Sequence, residues 1–382
     1  MAKTVKEPLV HLTKRDYMHP VAAFAIRVLA LIVGLLACGL VAFLLIEKLR
    51  KDPGRITEFY QCFIKGSFST ERKIWSFCKN TAILLMISLA LTPAFRMRFW
   101  NTGAEGQTLM GVLAAVAVNF YLGGTYNPAV AWPTWAIIGL ELLAALLAGA
   151  VWGLIPALFK ARWDTNETLF TLMMNYVATF TVSFCLVKWT PDGSSSLSRL
   201  SSGALPTIFT GLKKSSYSDY LCIVIIVLAV TAALYLYLKY SKHGYEISVV
   251  GESIRTANYV GITVKKVIIR TMLLSGLLCG LAGWLIGAGL DRTVTTDSVG
   301  GRGFTAIMVA WLAKFDPLMM IITSALVIFL NEGASQISTS FDVSGAFPDV
   351  IIGIVLFFII GSEFFVNYKL HFRKKASPKE VA

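Results

Sequence analysis

The stretch PVAAFAIRVLALIVGLLACGLVAFLLI, residues 20–46, decides the fold class. It is apolar over more than the ~20 residues that a helix needs to cross a bilayer core. Further apolar runs follow along the chain, separated by short polar segments. Hydrocarbon offers no water to backbone N–H and C=O groups, so runs of this kind must be helices or a closed barrel. They are too long and too continuous for barrel strands, which alternate in polarity. The reading is an all-α, polytopic membrane protein with about ten transmembrane or re-entrant helices. Within the first run, Leu35-Leu36-Ala37-Cys38 has the form of a lipoprotein cleavage box. The run continues past it through Gly39 to Ile46, which suits a retained first span better than a signal peptide.

Composition points the same way. The chain has 382 residues, of which 56% are hydrophobic and 15% charged, with a mean hydropathy of +0.67. Soluble domains carry about 25% charged residues. The net charge of +13 could mean nucleic acid, but its placement argues otherwise. Basic residues gather at span ends, as in Lys160-Ala161-Arg162, Lys265-Lys266 and Arg373-Lys374-Lys375. That is a positive-inside pattern, and it holds the chain against membrane lipid headgroups. No basic patch with interleaved aromatics suggests a nucleic-acid face. Both termini are placed in the cytoplasm, with basic tails at 1–19 and 367–382 around a permease domain at 20–366.

The remaining spans are expected at about 81–95, 106–122, 135–159, 168–187, 220–238 and 267–290. Residues 304–313 are apolar for only half a span and end near Pro317, after which 318–330 returns outward. These two read as a re-entrant or broken pair, which transporters use beside substrate sites. The last span is at about 350–365. Residues 47–80 are assigned to the outer side despite their lysines and arginines, because longer loops obey the charge rule less strictly. Residues 190–218 form a Ser/Gly/Pro-rich outer loop.

Chemistry-bearing groups are few. The six cysteines are scattered, without a Cys-x-x-Cys pair, and read as small buried hydrophobes. His11, His19, His243 and His371 flank spans without metal-ligand spacing, so neither metal nor cofactor is expected. No span pairs a nucleophile with a base. No Gly-x-x-x-x-Gly-Lys-Ser/Thr loop is present to cradle ATP phosphates. The chain is therefore not an enzyme, and any ATP hydrolysis belongs to a partner. In FWNTGAEGQ, residues 99–107, two amides and a carboxylate (Asn101, Gln107 and Glu105) stand between two apolar spans. Gly103 and Gly106 permit an unwound backbone there. Ionisable groups at membrane depth usually line a polar path; the other reading is a solvated inner turn.

NETLFTLMMNYVA, residues 166–178, offers Phe170, Asn175 and Tyr176 as an amide and two aromatic faces. In GESIRTANYVGI, residues 251–262, Ile254, Ala257 and Val260 share one helical face, with Glu252, Arg255 and Asn258 turned elsewhere. Such a helix would fit a groove on a soluble partner or lie on the headgroups. Gly276, Gly280, Gly283 and Gly287 make a small-residue face where another helix can approach closely. Glu141 stands alone among Leu and Ala, and either lines the path or sits near an interface.

Together with Ser275-Gly276, Gly280-Leu281-Ala282-Gly283 and Gly303-Phe304-Thr305-Ala306-Ile307 leading to Pro317, these motifs resemble the permeases of nucleoside and simple-sugar ABC importers. The branch resembled is the one paired with basic-membrane-protein-type lipoproteins. Thr102 stands where that pattern has Ile, and Met174 where it has Leu, which leaves the substrate open. The resemblance implies a type II ABC importer-like permease fold in the inner membrane. It implies alternating access for a nucleoside or related small polar solute. It also implies three partners: an ABC ATPase subunit with two nucleotide sites, a second homologous permease subunit and an extracytoplasmic solute-binding lipoprotein. Simple-sugar and flavin permeases are the alternatives. An ion-coupled secondary transporter is the alternative of another class, and the near absence of mid-span charges argues against it.

The expected solute path takes Asn101, Glu105, Gln107, Phe170, Asn175 and Tyr176. Coupling to the ATPase falls to Glu252, Ile254, Arg255, Ala257, Tyr259 and Gly261.

Overall fold

Pro20 opens the first membrane helix, where its fixed φ suits the first turn and its missing N–H costs nothing. The computed structural model describes residues 10–15, 18–126, 132–190, 196–200 and 219–372. The outer parts of both expected tails, residues 1–9 and 373–382, and most of the loop at 190–218 lie outside the described residues. In chain order the elements begin with strand β1 (Val10–Lys14) and helices α1 (Pro20–Leu45), α2 (Glu47–Lys51) and α3 (Ile56–Phe68). There follow α4 (Glu71–Arg96), α5 (Ala104–Leu122), α6 (Thr134–Trp163), α7 (Glu167–Trp189) and α8 (Asp219–Tyr240). Two short helices, α9 (Lys242–Glu252) and α10 (Ile254–Tyr259), precede α11 (Val264–Ile286). The chain closes with α12 (Arg302–Leu312), α13 (Pro317–Phe341), α14 (Phe347–Asn367) and strand β2 (Tyr368–Phe372).

Eight of the described helices are long and apolar enough to cross a membrane. α5 is interrupted by polar residues and α12 is short, and these two complete the set of segments anticipated from the sequence. The fold is an all-α polytopic bundle. The chain divides into two compact units, one of residues 70–328 and one of the residues before and after it.

In the flanking unit, α1 packs along α14. Arg27 and Glu363 pair at 2.7 Å, and Cys38 donates to the Ile351 carbonyl at 3.6 Å. The two segments read as tails meet in an antiparallel ribbon, with Val10 opposite Phe372 and Lys14 opposite Tyr368. Residues 47–80, read as a polar loop, are largely helical. Phe59, Cys62, Phe63 and Gly66 recur at helical spacing and are all buried on one side of α3. The Tyr60 hydroxyl donates to the Leu35 carbonyl of α1 at 3.2 Å.

In the larger unit α4 is the central post. It starts ten residues before the expected span because Thr70 caps it, its Oγ1 accepting from the Lys73 N–H at 3.4 Å. Residues 82–95 are buried on every side, as expected of a helix surrounded by others. α11 lies against α5 and α6 with almost no side chain between the backbones. A Cβ on Gly276 would overlap the Gly149 carbonyl, one on Gly280 the Ala145 carbonyl, and one on Gly283 the Thr108 carbonyl. Gly287 is looser, with its nearest neighbour at 3.4 Å. Close approach of this kind supplies dispersion contacts where lipid leaves no hydrophobic drive between helices.

Candidate functional site

The turn from α4 to α5 carries the densest polar network among the described residues. Arg96 ends α4, and its Nε and Nη2 donate to the Phe315 carbonyl at 3.1 and 2.9 Å. Arg98 takes a left-handed φ of 59°, which turns the chain back into the bundle. Asn101 and Gln107 then form a reciprocal amide pair at 3.2 and 3.3 Å. Asn101 Nδ2 also donates to Ser275 Oγ of α11 at 3.2 Å. Both amides are fully buried, so these partners remove a penalty of about 1–3 kcal/mol for each group left unsatisfied.

The first turn of α5 has N–H groups without partners in its own helix. Asn175 of α7 fills one of those vacancies: its Oδ1 accepts from the Gly106 N–H at 2.9 Å, while its Nδ2 donates to the Thr102 carbonyl at 2.9 Å. Thr171 adds a third tie, accepting from the Thr102 N–H at 3.1 Å. Glu105 faces the other way. Its two carboxylate oxygens accept from the Gly301 and Gly303 N–H groups at 2.8 and 2.7 Å. It thereby caps α12, where a negative charge also suits the helix dipole. Gly301 has φ +72°, which a side chain would strain, and a Cβ on Gly303 would stand 2.5 Å from the Glu105 nitrogen, so glycine suits the first position and is required at the second.

α12 has eleven residues and a length of about 16 Å at 1.5 Å per residue. That is about half of a bilayer core of about 30 Å, and its far end meets Phe315, to which Arg96 is bound. Beside that end is a polar cavity of about 640 Å³, lined by Lys79, Arg199, Tyr220, Asp291, Asp297 and Arg302 among others. The sequence reading missed this chamber because its walls come from four distant stretches of the chain.

Asn101, Glu105, Gln107 and Asn175 are thus brought together. Phe170 and Tyr176 are not part of this cluster. Phe170 packs on Phe159 at 4.8 Å between ring centres, and Tyr176 is 59% exposed, turned away from the cluster on α7. Glu141 lies in the contact between α5 and α6, where Asn119 Nδ2 donates to its Oε1 at 2.8 Å.

At the end of the bundle marked by Arg96, α9 and α10 present a second surface. Ser253 separates them by capping α10, its Oγ accepting from the Thr256 N–H at 3.2 Å. Ala257 is buried, but Ile254 and Val260 are more than half exposed, so the apolar face expected for α10 is not turned inward as a unit. The helix is only six residues long and Val260 falls outside it. Tyr259 is 93% exposed, Glu252 and Arg255 are exposed, and Gly261 has φ +80° with open space around it. A cavity of about 410 Å³ lies between α10, the Arg98 turn and the α6–α7 elbow, where Lys160 pairs with Glu167 at 3.1 Å. Glu246 of α9 is held below the usual carboxylate range, chiefly by the Arg270 guanidinium at 2.7 Å. No group of metal-binding side chains occurs among the described residues.

Residues 74–360 match the family described as "Branched-chain amino acid transport system / permease component". Among curated proteins, the chain is 27% identical to the guanosine ABC transporter permease protein NupP of Bacillus subtilis, over 88% of this chain and 93% of that protein. It is 30% identical to the glucose ABC transporter permease protein TsgB13 of Haloferax volcanii, over 75% and 76% of the two chains. It is 22% identical to the probable riboflavin import permease protein RfuC of Treponema pallidum, over 66% and 64%. No solved structure matches.

Proposed function

Because the chain belongs to this permease family and is the membrane-spanning subunit of an ABC importer for nucleosides or related sugars, we propose that its own solute is a nucleoside, moved by alternating access past the α5–α12 junction. The observation that supports the path is the half-length helix α12, whose capped end lies beside a polar cavity. Glu105 closes the junction by holding the start of α12. Asn101, Gln107 and Asn175 form the polar wall next to it; in this conformation the first two pair with each other and Asn175 with the Gly106 N–H and the Thr102 carbonyl, and all three become available to a solute when the helices part. Phe170 and Tyr176 contribute aromatic faces on the exposed side of α7, where a second permease subunit completes the path.

An ABC ATPase with two nucleotide sites docks on the surface of α9 and α10, with Glu252, Ile254, Arg255, Tyr259 and Gly261 at the contact and Ala257 anchoring the helix. In this reading both termini lie in the cytoplasm, the chain sits in the inner membrane and a solute-binding lipoprotein works on the other side. Gly276, Gly280, Gly283 and Gly287 keep α11 close against its neighbours so that the bundle moves as a block.

Uptake of labelled guanosine by cells expressing the assembled importer tests the solute. Excess unlabelled nucleosides should compete, and glucose or riboflavin should not. Competition by glucose or riboflavin alone would replace the nucleoside reading with one of those solutes.

A further inference from the structure

The flanking unit holds a groove that the transport reading does not use. It runs between α1 and α14, has a volume of about 810 Å³, and is walled by Ile26, Leu29 and Val33 on one side and Phe357 and Phe365 on the other. Its floor is open at Gly361, around which nothing lies within 4 Å of a built Cβ. Three of the polar groups near it are already engaged. Arg27 is paired with Glu363, and the Ser362 hydroxyl donates to the Ile359 carbonyl at 2.6 Å.

The end of the groove is different. The β1–β2 ribbon closes it and brings Arg15 and Lys369 to the rim. The Arg15 N–H donates to the Asn367 carbonyl at 2.9 Å, which fixes the residue there. Its side-chain Nε is buried and has no partner among the described residues. A buried guanidinium donor without an acceptor is costly, and a phosphate is an acceptor that arginine matches well. The ribbon begins where α14 ends, and α1 starts at Pro20, so Arg15 and Lys369 stand at headgroup level beside the membrane.

We propose that this groove is a specific site for an anionic diacyl phospholipid, with its phosphate on Arg15 and Lys369 and an acyl chain between α1 and α14. The apolar walls reject a polar solute, and the two cations at one end select a ligand that is anionic at one end only. Basic pockets between membrane helices hold anionic headgroups for the same reason.

Native mass spectrometry of the assembled importer, equilibrated with phosphatidylglycerol or phosphatidylcholine of matched chains, tests the site. Phosphatidylglycerol should be retained in preference by about tenfold or more, given two basic residues at the rim. The double variant Arg15→Gln, Lys369→Gln should erase that preference. Gly361→Leu, which the open space accommodates, should expel both lipids. Gly353→Leu, equally open and outside the groove lining, serves as the control and should retain them. Equal retention of the two lipids by the unaltered protein, or equal retention by the Gly361 and Gly353 variants, overturns the proposal. If the double variant fails to assemble, the glycine pair still decides.

Discussion

At the scale of single residues, the polar groups between α4 and α5 act on helix ends. Glu105 accepts from two N–H groups at the start of α12, one on each carboxylate oxygen, and a glutamine would put an NH2, which donates only, against one of them. Glu105→Gln should therefore loosen the start of α12 at a cost of about 1–3 kcal/mol, read as a lower melting temperature, with reduced uptake. Unchanged melting would mean that the cap contributes nothing. Asn175→Leu leaves the Gly106 N–H and the Thr102 carbonyl without their partner. Transport per assembled complex should fall several-fold. If only assembly falls and each assembled complex transports normally, Asn175 is a packing group and the path lies elsewhere.

Glu246 gives a pH signature. Arg270 lowers its carboxyl pKa in the folded chain, so between the folded value and the ordinary one the unfolded chain binds more protons. The stabilisation is complete above the ordinary carboxylate range and is lost as pH falls through the lowered folded value. The melting-temperature gap between the unaltered protein and Glu246→Gln should close on acidification. A gap that stays constant through that window would show that the pair does not form.

At the scale of elements, the spans were legible because apolar length is a one-dimensional property. α4 and α13 still ran longer than expected. α13 continues to Phe341 through Asn331, Glu332, Ser335 and Gln336, polar residues that an apolar-length criterion excludes but a helix tolerates. α3 was missed although Phe59, Cys62, Phe63 and Gly66 carry the periodicity, because the charges around them dominated the reading. The polar residues of the α4–α5 turn were legible as a cluster. Their partners were not, since Ser275, Asn175 and Gly301 come from remote positions whose register only packing determines. The glycine face of α11 was legible by spacing, and the structure adds which backbone each glycine meets. Gly280→Leu should push α11 off α6, costing about 3 kcal/mol or more by overpacking. Gly287→Leu, at the looser contact, should cost less. Similar losses of assembled, monodisperse protein in both variants would contradict that ranking.

At the scale of the whole molecule, the chain presents surfaces that need partners. The face of α7 with Met173, Tyr176, Phe180 and Phe184 exposed is apolar and aromatic at helical spacing, and the α9–α10 surface exposes Arg255 and Tyr259. The sequence holds no Gly-x-x-x-x-Gly-Lys-Ser/Thr loop, and on the proposed coupling the energy for uptake enters through that second surface. Purified alone, the chain should hydrolyse no ATP. Purified from the membranes of its own cells, it should come down with an ATPase, and a photo-crosslinker at Tyr259 should label that subunit. Arg255→Glu should leave ATP hydrolysis in the complex while uptake falls, because reversing one contact charge disturbs transmission and not the nucleotide sites. Labelling of Tyr259 by an impermeant reagent added outside intact cells would invert the orientation. In that case the Arg255 substitution should alter capture of the solute-binding lipoprotein, and hydrolysis in the detergent-solubilised complex should be indifferent to it.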